Sequence, residues 1–74
     1  MMESNKKLVS GMGKLNAQIK NQLSSWELDI ELAMEDAEVS KAKGKIMGYL
    51  KALVHMGIID LHEAREVYRF YTTK

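Results

Sequence analysis

The sequence predicts an all-α fold of three helices, the central one long, at about residues 26–56, with a core completed by oligomerisation. Three observations predict it. None of the 74 residues is proline, and β-branched residues never alternate with polar ones over the length of a strand. Every apolar pattern with a readable period repeats near 3.5 to 3.6 residues. There is no cysteine, so neither a disulfide nor a thiolate metal site compensates for a small core.

A chain of this length holds one domain and buries only about 60% of the surface its unfolded form exposes. We therefore treat residues 1–74 as a single helical domain. Its apolar fraction of 46% and charged fraction of 28% are ordinary for a globular protein. No apolar run approaches the length of a membrane span. The start, MMESNKKLVSGMGK, lacks the apolar stretch of a secretory signal. These features point to the cytoplasm.

The first helix is predicted over residues 6–23, where Leu8, Met12, Leu15 and Ile19 repeat with 4-3-4 spacing. Gly11 and Gly13 each cost about 1 kcal/mol relative to alanine in a helix interior. Residues 1–7 are therefore expected to fray. Ser24 and Glu27 have capping-box spacing and predict a break there. The competing reading is one unbroken helix, because the stripe Ile19, Gln22, Trp26, Ile30, Ala33, Ala37 passes Ser24 in phase.

The central helix rests on a heptad seam. Leu28, Leu32, Glu35, Val39, Ala42, Ile46, Tyr49, Leu53 and Met56 alternate spacings of four and three. A second stripe, Trp26, Ile30, Ala33 and Ala37, lies on another face. Two stripes must be covered from two sides, hence the three-helix or oligomeric expectation. Gly44 and Gly48 interrupt the seam. Either Gly44 ends one helix, or the helix continues, kinked or straight, and Gly44, Gly48 and Ala52 form a small-residue ridge for close helix packing. The seam keeps phase across Gly44, which favours continuity. The candidate oligomer interface is Leu28, Leu32, Val39, Ile46, Tyr49 and Leu53, with Gly44, Gly48 and the off-stripe Phe70.

Gly57 follows as a C-terminal cap. Asp60 and Glu63 form a capping box, and Ile59 can staple onto Ala64. The last helix is predicted over residues 61–71, with Leu61, Ala64, Tyr68 and Tyr71 inward and Val67 beside them.

The net charge of +1 conceals an ordered layout. Residues 1–25 carry +3 (Lys6, Lys7, Lys14 and Lys20 against Glu3). Residues 26–40 carry −6, with no base. Residues 41–56 carry +4, from Lys41, Lys43, Lys45 and Lys51, and the remainder balances. On one central helix this layout suits the macrodipole and an antiparallel pairing of two copies.

Glu27, Glu31, Glu35 and Glu38 fall roughly on one stripe and form the candidate partner-binding acidic strip, set against the plain alternative of a solvated face paired with Lys14 and Lys20. Lys41, Lys43 and Lys45 are the candidate anion-binding residues, without P-loop spacing. No Glu-x-x-His pair supports a di-metal bundle, and no nucleophile motif accompanies His55 or His62. The expectation is no catalysis, no metal and no cofactor. A helix-turn-helix over residues 53–71 is disfavoured by Asp60 and Glu63 at the start of its second helix. The sequence thus predicts a homo-oligomeric, non-enzymatic interaction protein. It would bind and regulate or inhibit a protein partner, by analogy with small bacterial or phage accessory factors. An oligomeric binder of an anionic small molecule such as a nucleotide is the first alternative, and a nucleic-acid-binding regulator the second.

Overall fold

A single left-handed residue organises the second half of the chain. In the computed structural model, which describes residues 12–73, Gly57 has φ +77°. It follows a helix that ends at His55, with Met56 as its cap. The Gly57 N–H donates to the Val54 carbonyl at 3.0 Å and the Ile58 N–H to the Leu53 carbonyl at 3.0 Å. This paired arrangement is the Schellman motif, and it requires a positive φ that glycine adopts without steric cost.

Three α-helices result: α1 over Ala17–Leu32, α2 over Asp36–His55 and α3 over Leu61–Thr72, preceded by a short 3₁₀ turn at Met12–Lys14. Among the described residues there is no strand. The all-α, three-helix prediction holds, and α3 lies where the sequence places it. The Asp60 side chain accepts from the Glu63 N–H at 2.8 Å, and Glu63 Oε1 accepts from the Asp60 N–H at 2.9 Å. Ile59 and Ala64, the staple pair, are both buried in the core.

The first two helices differ from prediction in their bounds. The chain does not break at Ser24 but at residues 33–35, so the segment 26–56 is divided between α1 and α2. Asn16 caps α1, accepting from the Ile19 N–H at 2.9 Å. Ser24 lies inside α1, on a solvent-exposed position of the helix. The turn is fixed by Glu38, whose Oε1 accepts from the Met34 N–H at 2.8 Å and the Glu35 N–H at 3.4 Å. Asp36 and Glu38 then occupy the first turn of α2, where carboxylates suit the positive end of the helix. The predicted fraying over residues 1–7 and the stripe residue Leu8 lie outside the described residues.

Breaking the segment resolves its two apolar stripes. Ile19, Leu23, Trp26 and Ile30 become the inner face of α1, while Ala42, Ile46, Leu50 and Leu53 become that of α2, with Val39 and Tyr49 beside them. Trp26 and Tyr49 meet edge to face, ring centroids 5.3 Å apart, and join the two helices. Ala64, Val67 and Tyr71 of α3 close the core from the third side. Leu23, Ile46, Leu50, Leu53 and Val67 are the largest fully buried side chains. Leu15, ahead of α1, is buried too, so the entering segment packs on the bundle.

α2 continues without a break through Gly44 and Gly48. A Cβ added at either would meet nothing within 4 Å, so the small-residue ridge brings no other backbone close within this chain.

Candidate functional site

The seam residues predicted to face a second copy part company in the fold. Ile46 and Leu53 are essentially inaccessible and serve the chain's own core. Val39 and Tyr49 are half-buried against that core. Leu28 and Leu32, on the α1 side of the break, are left outside, 52% and 68% exposed. Gly44 and Gly48 are exposed on α2, and Phe70 is exposed on α3, edge to face with Tyr71. A continuous interface along 28–53 is therefore not formed, because the turn at 33–35 rotates the two halves of the seam onto different faces.

The acidic strip is broken at the same place. Glu27 and Glu31 lie on α1, whereas Glu35 is the N-cap of α2 and Glu38 turns back onto the amides before it. What remains is an acidic corner, with Asp29, Glu31, Glu35 and Asp36 exposed around the α1–α2 turn. Within it stand Leu28, Leu32 and the 89% exposed Met34.

The candidate anion-binding lysines are also separated. Lys41 and Lys45, one turn apart, line a shallow hollow together with Asp29 and Glu38. Two carboxylates there offset two ammonium groups, so the hollow carries no net positive field. Lys43 does not line it and is half-buried elsewhere on α2. His55 is exposed at the end of α2, and His62 Nε2 lies 3.5 Å from a Glu66 carboxylate oxygen. Among the described residues no three His, Asp or Glu side chains converge to hold a metal ion. Among the described residues no helix is long and apolar enough to cross a membrane.

Sequence reasoning missed a largely apolar concavity. Between α2 and α3 lies a cleft of about 360 Å³. Leu50, Val54 and Ala64 line it from below, Met47 and Leu61 rise at its sides, and Lys51, His55 and Arg65 complete it. Leu61 is 60% exposed although it is the first residue of α3. No acidic side chain lines this cleft. Its sequence signal was available: Met47, Leu50 and Val54 recur at i, i+3 and i+7 beside the heptad seam, a second apolar stripe on α2.

One ion pair ties the start of the described chain to the foot of α3. Lys14 Nζ donates to Glu63 Oε1 at 2.9 Å and lies 2.8 Å from Oε2. The hydrogen bond from Lys14, reinforced by the backbone bond from Asp60, holds the Glu63 carboxyl below its usual range. The same bond raises Lys14 above its ordinary value. Burial pushes the Tyr71 phenol up. These groups face the bundle's own seams and not a cavity, so they serve the fold.

No family model, curated protein or solved structure matches the chain. Its surface must speak for its function.

Proposed function

We propose that this chain is a non-enzymatic protein-interaction module that holds a helix of a protein partner in the α2–α3 cleft, and regulates or inhibits the partner by occupying that helix. The observation that carries the reading is the cleft's chemistry: an apolar surface between two helices, with Lys51, His55 and Arg65 and no acid in its lining. A groove between two helices accepts side chains that recur at i, i+3 or i+4, and i+7 on an amphipathic helix, and Met47, Leu50, Val54 and Leu61 offer the complementary apolar surface. Lys51 and Arg65 favour carboxylates beside those anchors, which speeds encounter and fixes orientation more than it adds affinity. A methionine in the wall gives the groove adaptable packing.

A fluorescent peptide with leucines at i, i+4 and i+7 and glutamates beside them tests this. Saturable binding is expected. Leu61→Glu should abolish it, and a matched peptide with lysines for glutamates should bind more weakly. A glutamate peptide that fails to bind the wild-type chain would defeat the proposal.

A further inference from the structure

We infer that the helix received by the α2–α3 cleft is the C-terminal end of α1 from a second copy of this chain. The inference rests on the reading of the cleft as a helix holder and adds the identity of its occupant.

The end of α1 has the required chemistry. Leu28 and Leu32 are one turn apart and point away from the face that carries Leu23 and Ile30 into the core. With Met34 they form an apolar knob, exposed by 52%, 68% and 89%. Clustered exposed apolar groups of this kind mark interaction surfaces. Acidic residues border the knob on every side in sequence: Asp29 and Glu31 between the leucines, Glu35 and Asp36 after Met34. The cleft, by contrast, is lined by no acid and by Lys51, His55 and Arg65. The two surfaces are complementary in both apolar character and charge.

The charge of α1 supplies an independent argument. Its first turn has no acid and its last turn no base. Asp29 and Glu31 stand instead in that last turn, at the negative end of the helix dipole, where carboxylates are disfavoured. α2 and α3 are arranged the other way, with Asp36, Glu38 and Glu63 in their first turns and His55 and Arg69 in their last. Lys41 and Lys45 of α2 stand beside Asp29 within the same chain, and Lys51 and Arg65 of a second copy would add cations around the rest of this acidic end.

Knob and cleft share no residue, so each can be disabled without touching the other. That property gives a decisive test. Leu28→Ser with Leu32→Ser disables the knob and spares the core, and Leu61→Glu disables the cleft. Circular dichroism should show wild-type helix content for both variants. In sedimentation velocity from micromolar to millimolar concentration, the wild type should gain mass with concentration, while each variant alone stays at the 8.4 kDa of one chain. An equimolar mixture of the two variants should regain a species of twice that mass, because one intact knob meets one intact cleft. A wild type that stays monomeric throughout, variants that associate as the wild type does, or a mixture that fails to pair would each overturn the inference. A monomeric wild type that still binds the glutamate peptide would remove the second copy as occupant while leaving the cleft's function standing. Loss of both would remove both.

Discussion

The α2–α3 hairpin and the end of α1 obey opposite rules. In the hairpin, local and global preferences agree. A Schellman turn at Gly57, a capping box at Asp60 and Glu63, dipole-favoured charges and a buried stripe all specify the same structure. The end of α1 breaks two of them. Its carboxylates sit at the wrong end of the helix, and its leucines face outward. Consistency across levels is what specifies a fold, and local violations concentrate where a protein does something else. The hairpin is thus the part of the chain whose local signals all agree, and the α1 end the part whose exposed leucines and misplaced carboxylates motivate the proposed pairing with a second copy.

Substitutions sharpen the contrast, beginning with the largest effect. Leu53→Ala, in the core face of α2, should destabilise by about 2–5 kcal/mol in urea denaturation, as deleting a fully buried leucine does. The same change at Leu32 should stay within about 0.5 kcal/mol for dilute protein, as exposed sites do. Equal losses at the two positions would erase the distinction between scaffold and surface. Gly57→Ala should cost about 1–2 kcal/mol, read from the same melts, because a Cβ is strained at φ +77°. Gly48→Ala should act in the opposite direction and stabilise by about 1 kcal/mol, since the helix gains propensity and the new methyl meets nothing within 4 Å.

Leu32→Lys separates folding from docking in one variant. It places a cation in the last turn of α1, worth about 0.3–1 kcal/mol of added stability at low salt. It also removes an anchor of the knob, so self-association should fall while the melting temperature of dilute protein rises. A fall in both would mean that Leu32 contributes to the fold of the single chain.

The smallest expected effect is on pH dependence. Glu63 is held below its ordinary value by Lys14 and the Asp60 amide, so its contribution is present above the ordinary carboxylate range and is lost as pH falls through the depressed value. Lys14 is raised, so its contribution is present below the ordinary lysine value and is lost as pH rises through the elevated one. Glu63→Gln keeps the capping-box geometry but not the charge. It should flatten both arms of the stability–pH curve measured by thermal melting, and curves that superimpose on the wild type would show that the pair contributes nothing.

How far the fold is legible in the sequence follows the range of each interaction. Gly57, Asp60 with Glu63, and Ile59 with Ala64 are local signatures and are readable as such. The break at 33–35 is masked because the stripe Trp26, Ile30, Ala33, Ala37 keeps phase through it. Its local sign is the Glu35-x-x-Glu38 spacing with Asp36 between, an acidic first turn that the charge layout presented as one long strip. Leu23 and Leu50, both fully buried, lie just off the stripes drawn from spacing alone, since a heptad seam shows only part of a helix's inner face. The Lys14–Glu63 pair spans 49 positions and leaves no local trace. The candidate surface was half legible. The acidic corner and Leu28 and Leu32 were visible, but the cleft needs α3 folded back on α2 before Leu61 and Arg65 stand beside Met47 and Val54.

The most direct measurement is a residue-resolved amide spectrum of the full chain as its concentration is raised. Shifts should concentrate in two groups, Leu28, Leu32 and Met34 on one side and Met47, Val54, Leu61 and Arg65 on the other, growing together along one binding curve. Shifts confined to another surface, such as that around Phe70 and Thr73, or a spectrum that does not change with concentration, would contradict the pairing of knob and cleft.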